Sequence, residues 1–511
     1  MVYLQYERII RFHHEPGKGH YIIYFTLNER AVAFSKEKLG EKQKKTYFCN
    51  ILYNHHETIT KNSKNMITIE EALEKARDTK AMEFGVGCMA KVSDMFKKLF
   101  PGKKAIVVAD DNTFKVAGEA VDSYLRNAGV ETETPFVFHD PELFAEWKYI
   151  EQLENYLKEL DVIAVAVGSG VINDLTKLVS HHLGRRYIIV GTAASMDGYT
   201  AYGASITFEG NKQTFDCPAP LGVAFDPAIA AKAPEGMSAS GYADLMAKIP
   251  AGADWIIADA VGSEAISPFA FALVQDKLRD ALSEPDAVAA GDVEATGKLA
   301  DGLIMSGFAM QAISSSRPAS GTDHQFSHFW DMEGLCYEGK HVSHGFKVAI
   351  GTLVSTACLE YLISKDLSQL DIDKCVSEWP SWEEMEAHIH KIFDGKPGHL
   401  ARGLVESKGK YTDKEGIRKQ LEAVKNNWPE LRERIRKQII PFDEVHDCLR
   451  RMRAPYEPEM IGVSRERLRS TFRCIPFMRN RFTGIDLIYR CGMMDEVEEH
   501  LFGKGGKWET K

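Results

Sequence analysis

The chain lacks the marks of a secreted, membrane-spanning or strongly basic protein. Its nine cysteines are odd in number and scattered, with no C-x-x-C pair. That usage excludes a disulfide framework and fits a reducing compartment; Cys88, Cys217, Cys336 and Cys358 lie in apolar or tightly turned surroundings. No uninterrupted apolar run approaches the roughly 18 residues of a membrane span. The amino terminus, MVYLQYERIIRFHHEP, carries charges and histidines where a secretory signal would be apolar. A cytoplasmic protein without a membrane span is expected. Basic charge is not in excess: 63 Lys and Arg stand against 73 Asp and Glu, a net charge of -10. A general nucleic-acid binder is therefore not expected, although a local basic pocket could still take a small anion. Arginine is enriched towards the C-terminus, where most copies fit the polar faces of helices. No internal repeat or low-complexity tract is present.

What is present is ordinary globular material, 44% hydrophobic and 27% charged, in a chain of 511 residues, too long for one core. Residues 1–66 are rich in Lys, His, Asn and Tyr, with short strand-like pieces such as YIIYF and a polar linker at 52–66. They read as an appendage, an extension or the product of a mis-assigned start. Order begins at Thr68, where Glu71 completes a capping-box pattern. Strands at 103–110, 134–140, 161–170 and 186–195 then alternate with helices at 115–129, 141–160 and 172–184. Short apolar strands separated by helices predict a parallel sheet covered on both faces. From 228 onward the segments are of helical length. The expected organisation is an extension (1–66), an α/β dinucleotide-binding domain (67–227) and an all-helical metal- and substrate-binding domain (228–511), with a cofactor across the cleft between the last two.

Three clusters could carry chemistry. Gly168-Ser169-Gly170 follows a strand, where small residues let backbone amides approach a pyrophosphate at a helix start; a tight strand-to-helix turn accounts for it equally well. Gly191 to Gly198 (GTAASMDG) follows the next strand, at the sheet edge where ligands bind. Asp110 ends the first strand and could accept a ribose hydroxyl or simply cap a helix. The third cluster is Asp244, Asp323-His324, His328 one turn later on the same helix face, and His344. One carboxylate and two imidazoles can make a three-ligand catalytic metal site with an open position. Interhelix hydrogen-bonded histidines are the bland alternative, and spacing alone does not close such a site.

The segments GSGVINDLTK, GTAASMDGYTAYGASI, GYADLMAK, SSRPASGTDHQFSH and HGFKVAIGTL, in this order, resemble the sn-glycerol-1-phosphate dehydrogenase family. That family lies within the iron-containing alcohol dehydrogenase, glycerol dehydrogenase and dehydroquinate synthase-like superfamily. The resemblance runs through residues 70–360 and more loosely beyond. It implies a dehydroquinate synthase-like fold and a metal held by Asp244, His324 and His344. Pyrophosphate contacts are implied at Gly168, Ser169 and Gly170, with Asp174 and Lys177 behind. Cofactor contacts are implied at Thr192, Ser195 and Asp197, a ribose contact at Asp110, and His328 and Asp197 beside the reacting substrate. NAD or NADP is the implied cofactor. One divalent ion is implied, zinc first, with nickel and iron as alternatives. The implied reaction interconverts dihydroxyacetone phosphate and sn-glycerol 1-phosphate by hydride transfer, in glycerophospholipid metabolism. Arg317 and Lys248 are the candidate donors to the substrate phosphate.

Two departures stand out: Ser169 where a further glycine is common, and Lys347 after His344-Gly345-Phe346 where Gly-Glu is common. A dehydrogenase for glycerol or another polyol, a dehydroquinate synthase-like lyase and a catalytically silent scaffold remain as alternatives. A small phosphorylated polyol or ketone is the expected partner, a homo-oligomer is compatible, and the choice between NAD and NADP stays open.

Overall fold

The computed structural model describes residues 10–14, 21–27, 30–34, 66–209 and 211–510. Contacts divide the chain into Met1–Met66 and Ile67–Lys511. In the first unit, β1 (Ile10–His14), β2 (Tyr21–Leu27) and β3 (Arg30–Phe34) form an antiparallel sheet in that order. The YIIYF piece falls in β2; the polar segment 52–65 lies outside the described residues.

The second unit opens with the expected capping box: Thr68 accepts from the Glu71 amide, and the Glu71 carboxylate returns the bond. Its main sheet contains β4 (Ala81–Phe84), β5 (Lys104–Asp110), β6 (Phe136–Phe138), β7 (Val162–Gly168), β8 (Ile188–Gly191) and β11 (Gly222–Phe225). The order is β4-β11-β8-β7-β5-β6, and every pair is parallel. Side chains of a strand alternate between faces, and here both faces are dry. Ile106, Val108, Ala164 and Ala166 enter one apolar core; Ala105, Val107, Val165 and Val167 enter another. This is why these strands read as continuous apolar runs rather than as alternating ones.

Several sequence expectations are corrected here. β4 and β11 are too short to stand out as separate runs. A hairpin of β9 (Ala204–Phe208) and β10 (Asn211–Phe215) also went unseen. The helix expected over 141–160 is Trp147–Leu157 only; Asp140 caps a turn at Glu142 instead, as its place before Pro141 favours.

Beyond β11 the chain is helical. The helices that matter for the site are α2 (Glu235–Met246), α3 (Lys248–Ala260), α4 (Thr322–Met332), α5 (His344–Ser364) and α6 (Pro397–Lys410). The expectation of an all-helical half needs one amendment: Cys336–Tyr337 and Lys340–His341 pair as a small antiparallel hairpin between α4 and α5. Helix α5 is long and apolar enough to cross a membrane, but most of it is buried in this core, where a helix apolar on all sides belongs.

Candidate active site

The parallel register sets the carboxyl ends of β5, β7 and β8 side by side. Gly168 pairs with Gly191, and the Thr192 amide donates to the Gly168 carbonyl at 3.1 Å, so two glycine-rich clusters separate in sequence form one edge. Helix α1 of this site is the segment Gly170–His182. Its N-cap, Ser169, makes no side-chain cap bond, leaving first-turn amides directed at the edge where an anion would sit.

Behind that edge the polar residues brace the loop. The buried Lys177 ammonium donates to the carbonyls of Gly198, Ala201 and Gly203 at 3.1, 3.0 and 2.9 Å. Asp174 accepts from the Ser205 amide and from Asn173, and burial raises its carboxyl above the ordinary value. Asp174 is thus tied to the protein beneath the loop. Tyr199 donates to the Ala193 carbonyl at 2.8 Å and interacts with Ser195. Asp110 Oδ1 caps the short helix that follows β5, accepting from Asn112 and Thr113.

The metal-type residues come together. One ligand atom from each of Asp244 (α2), His324 (α4) and His344 (α5) lies within 4.8 Å of the others. His324 Nε2 is 3.5 Å from Asp244 Oδ1, and the two imidazole centroids are 5.2 Å apart. The outer nitrogens are engaged: His324 Nδ1 with Asp323, His344 Nδ1 with Ser327 Oγ at 3.2 Å. Such outer partners fix the tautomer and aim the inner nitrogen at an ion. One carboxylate and two inward imidazoles suit a divalent cation and leave room for a substrate oxygen. Burial drives the His344 imidazolium down to about 3, so the ring is neutral, as a ligand must be.

Close approach of the helices makes this possible. A Cβ on Gly351 of α5 would lie 2.1 Å from the Asp323 carbonyl oxygen of α4, and one on Gly241 of α2 would lie 2.0 Å from the Ala194 carbonyl oxygen in the strand-end loop.

Asp197 joins the two halves of the site. Its amide is 3.3 Å from Asp244 Oδ2, and its carboxylate accepts from Ser306 Oγ at 2.8 Å and pairs with Lys248 at 2.9 Å. Lys248 also meets Asp244 Oδ1 at 2.6 Å. Burial opposes its charge, but Asp197 and Asp244 outweigh that and raise its pKa above the ordinary value. His328, one turn past His324, is held neutral, chiefly by burial and then by Arg479 and Arg402.

The two expected phosphate donors are placed differently. Arg317 is wholly buried and donates to the carbonyls of Phe482 and Asp254 at 2.9 and 2.8 Å, with Glu264 3.4 Å from Nε. It braces the 315–321 loop. Lys248 lies under the carboxylates. Lys347, the unusual residue, pairs with Asp331 at 2.6 Å and donates to the Val342 carbonyl at 2.7 Å. Asp323, Ser306, Ser327, Arg402 and Arg479 were not assigned site roles from sequence.

A parallel sheet whose glycine-rich edge adjoins an Asp-His-His triad defines a nucleotide-linked, metal-dependent dehydrogenase class, and residues 83–234 match the iron-containing alcohol dehydrogenase family. Solved structures agree on the fold. A probable glycerol dehydrogenase from Sinorhizobium meliloti aligns with a TM-score of 0.53 at 16% identity, over 82% of this chain and 98% of that one. Glycerol dehydrogenase from Schizosaccharomyces pombe gives 0.53 at 16% identity, over 85% and 92%. Sequence similarity is more specific. The chain is 31% identical to the glycerol-1-phosphate dehydrogenase [NAD(P)+] of Geobacillus thermodenitrificans over 60% of its own length and 78% of the relative's. It is 32% identical to that of Bacillus licheniformis over 80% and 88%, and 32% identical to that of Pyrococcus furiosus over 53% and 75%. The chain belongs to the glycerol-1-phosphate dehydrogenase family.

Proposed function

We propose that this protein is a metal-dependent, NAD(P)-linked dehydrogenase interconverting dihydroxyacetone phosphate and sn-glycerol 1-phosphate. The observation that supports it most is the direct link from the strand-end loop to the Asp-His-His triad through Asp197 and Asp244. A hydride donor lodged at the Gly168–Gly191 edge would thereby face a ketone oxygen at the triad.

In this reading Asp244, His324 and His344 hold the divalent ion, zinc being the first choice for one carboxylate and two imidazoles. Gly168, Ser169 and Gly170 receive the cofactor pyrophosphate, Thr192 and Ser195 line its path, and Asp110 meets the adenosine ribose. Lewis-acid polarisation of the ketone oxygen and the hydride itself are what the bound ion and nicotinamide supply. The chain supplies alignment and proton handling. Asp323 and Ser327 fix the two imidazoles. Lys248 helps keep Asp244 ionised and holds Asp197 in place. His328, neutral and one turn from a ligand, carries both an N–H donor and a lone pair, so it can take a proton from the substrate hydroxyl or return one. A reducing, cytoplasmic setting suits the eight described thiols, all unpaired.

The test is a spectrophotometric assay on metal-reconstituted protein with both reduced cofactors and with phosphorylated and free dihydroxyacetone. Faster turnover of the phosphorylated ketone to sn-glycerol 1-phosphate is expected. Formation of sn-glycerol 3-phosphate, or equal efficiency on both ketones, would overturn the assignment.

A further inference from the structure

With Arg317 and Lys248 committed inside the protein, the substrate phosphate needs other donors. Positive charge is concentrated beyond His328, on helix α6 and on the segment that follows the short helix Ile475–Phe477; both helices pack against α4. The His399 ring packs at a tilt against Phe329, with centroids 4.5 Å apart, and its Nε2 meets the Phe329 carbonyl at 3.1 Å. That contact fixes α6 beside His328, and Arg402 is one turn further along the same face. The other segment is strapped down by Arg481, which donates to the Ser320 carbonyl at 2.8 Å and to Ser316 Oγ at 2.9 Å on the loop leading into α4. Arg479 lies two residues before it.

These guanidiniums are short of partners. Arg402 Nε is buried without a hydrogen bond, its nearest carboxylate being Glu406 at 3.6 Å. Glu406 itself accepts from the Asn480 amide. The Arg479 side chain makes no hydrogen bond among the described residues. Burial and mutual repulsion act together: Arg479 falls to about 10, through burial and then Arg402. Arg481 falls to about 9, through burial and then Arg479 and Arg317. Crowded, half-buried cations with free donors cost stability, and a dianion would complete them, since a guanidinium fork matches phosphate oxygens in pairs.

We propose that Arg402 and Arg479 hold the phosphate of the substrate beside His328, with Arg481 as the residue that positions the Arg479 segment. The assignment rests on the dehydrogenase reading above and names the groups that would separate a phosphorylated ketone from a free one.

The experiment uses the full, metal-loaded chain with reduced cofactor, which leaves sn-glycerol 1-phosphate without a hydride acceptor. Calorimetric titration with sn-glycerol 1-phosphate, glycerol and inorganic phosphate compares wild type with Arg402→Met, Arg479→Met and Arg479→Lys. Affinity for sn-glycerol 1-phosphate should fall about tenfold or more in each Met variant and recover in part in Arg479→Lys, as charge-assisted bonds to phosphate require. Wild-type affinity in both Met variants overturns the proposal. A readout on wild type alone guards against misfolding: phenylglyoxal labelling of Arg402 and Arg479, located by mass spectrometry. The labelling should be suppressed by sn-glycerol 1-phosphate and not by glycerol; equal labelling with either overturns the proposal. Binding that depends on these arginines, without turnover of dihydroxyacetone phosphate, supports the subsite and removes the dehydrogenase reading. Turnover that keeps its phosphate preference in both Met variants does the reverse.

Discussion

Lys248 Nζ lies 2.6 Å from Asp244 Oδ1, with both side chains buried, and the same ammonium meets Asp197 at 2.9 Å. One cation thus serves two carboxylates at the junction between the strand-end loop and the triad. Lys248→Met would leave the buried Asp244 and the half-buried Asp197 without it. Breaking a buried pair from one side costs about 3–5 kcal/mol, so a large fall in melting temperature is expected for the metal-free variant. A divalent ion on Asp244 restores part of the missing charge, so the loss should shrink when zinc is added. Melting curves with and without zinc check this; equal losses in the two states would show that the lysine and the ion do not share the carboxylate.

The triad itself predicts a graded response. Asp244→Ala, His324→Ala and His344→Ala each remove an inward donor, and metal content by elemental analysis should drop in all three. Asp323→Asn leaves the donors in place but weakens the brace on His324 Nδ1. Loss of such an outer partner typically costs about 10–100-fold in metal affinity. A chelator competition titration reads that difference, and an Asp323→Asn affinity equal to wild type would discard the brace.

How much of this was legible in advance depends on where the information resides. Gly168 and Gly191 could be read because each ends an apolar run, and parallel register does the rest. Asp244, His324 and His344 were nameable, but their meeting depends on helix contacts as close as Gly351 on Asp323, which no spacing rule contains. Arg317 was misjudged because its position before the ligand helix is visible in sequence and the direction of its side chain is not; it turns into the core, towards Asp254 and Phe482. Arg402 and Arg479 were passed over because an arginine in the C-terminal part of the chain looks like a solvated charge until its neighbours are known. β4 and β11 were missed for want of length: four residues each.

Asp254 ties the start of α4 to the C-terminal helices, accepting from the amides of Thr322 and Gly484 at 2.7 Å each. Burial, with Asp323 nearby, raises its carboxyl from 3.8 to about 7. A raised acid binds its proton more tightly in the folded state, so its contribution to stability is fullest below about pH 4 and is lost as pH rises towards 7. The whole span amounts to about 4 kcal/mol. Asp254→Asn should remove that slope. The melting temperature of the variant relative to wild type should therefore become more favourable between pH 5 and pH 8, and a constant difference would refute the shift.

Every proposed cofactor, metal and substrate residue lies in Ile67–Lys511, a unit with its own contacts and a capping box at its entrance. A chain beginning at Met66 should bind metal and keep most of its turnover. If it folds and loads metal yet loses activity, residues 1–66 take part in the chemistry.

The last prediction concerns the glycine contacts that set the triad. Gly351 sits on α5 where that helix crosses α4, and a Cβ there would come within 2.1 Å of the Asp323 carbonyl oxygen and 2.9 Å of its carbonyl carbon. The obstacle is backbone rather than a flexible side-chain tip, so Gly351→Ala can be accommodated only by moving one helix off the other. Overpacking of this kind usually costs about 1–3 kcal/mol, which a large core can survive. The functional damage should be greater than the loss of stability. α4 carries His324 and α5 carries His344, and their donor atoms must stay within the few ångströms that an ion can bridge. Gly241→Ala makes a different cut: its Cβ would strike the Ala194 carbonyl at 2.0 Å, pushing α2 and Asp244 away from the strand-end loop rather than parting the two histidines. Gly351→Ala should therefore weaken zinc binding sharply at modest cost in melting temperature. Gly241→Ala should impair the coupling of cofactor to metal, seen as a smaller stabilisation by NAD(P) in the presence of zinc. Melting temperatures of both variants, recorded with zinc, with cofactor and with both, separate the two effects. Zinc affinity in Gly351→Ala equal to that of wild type would show that the α4–α5 approach does not set the distance between His324 and His344.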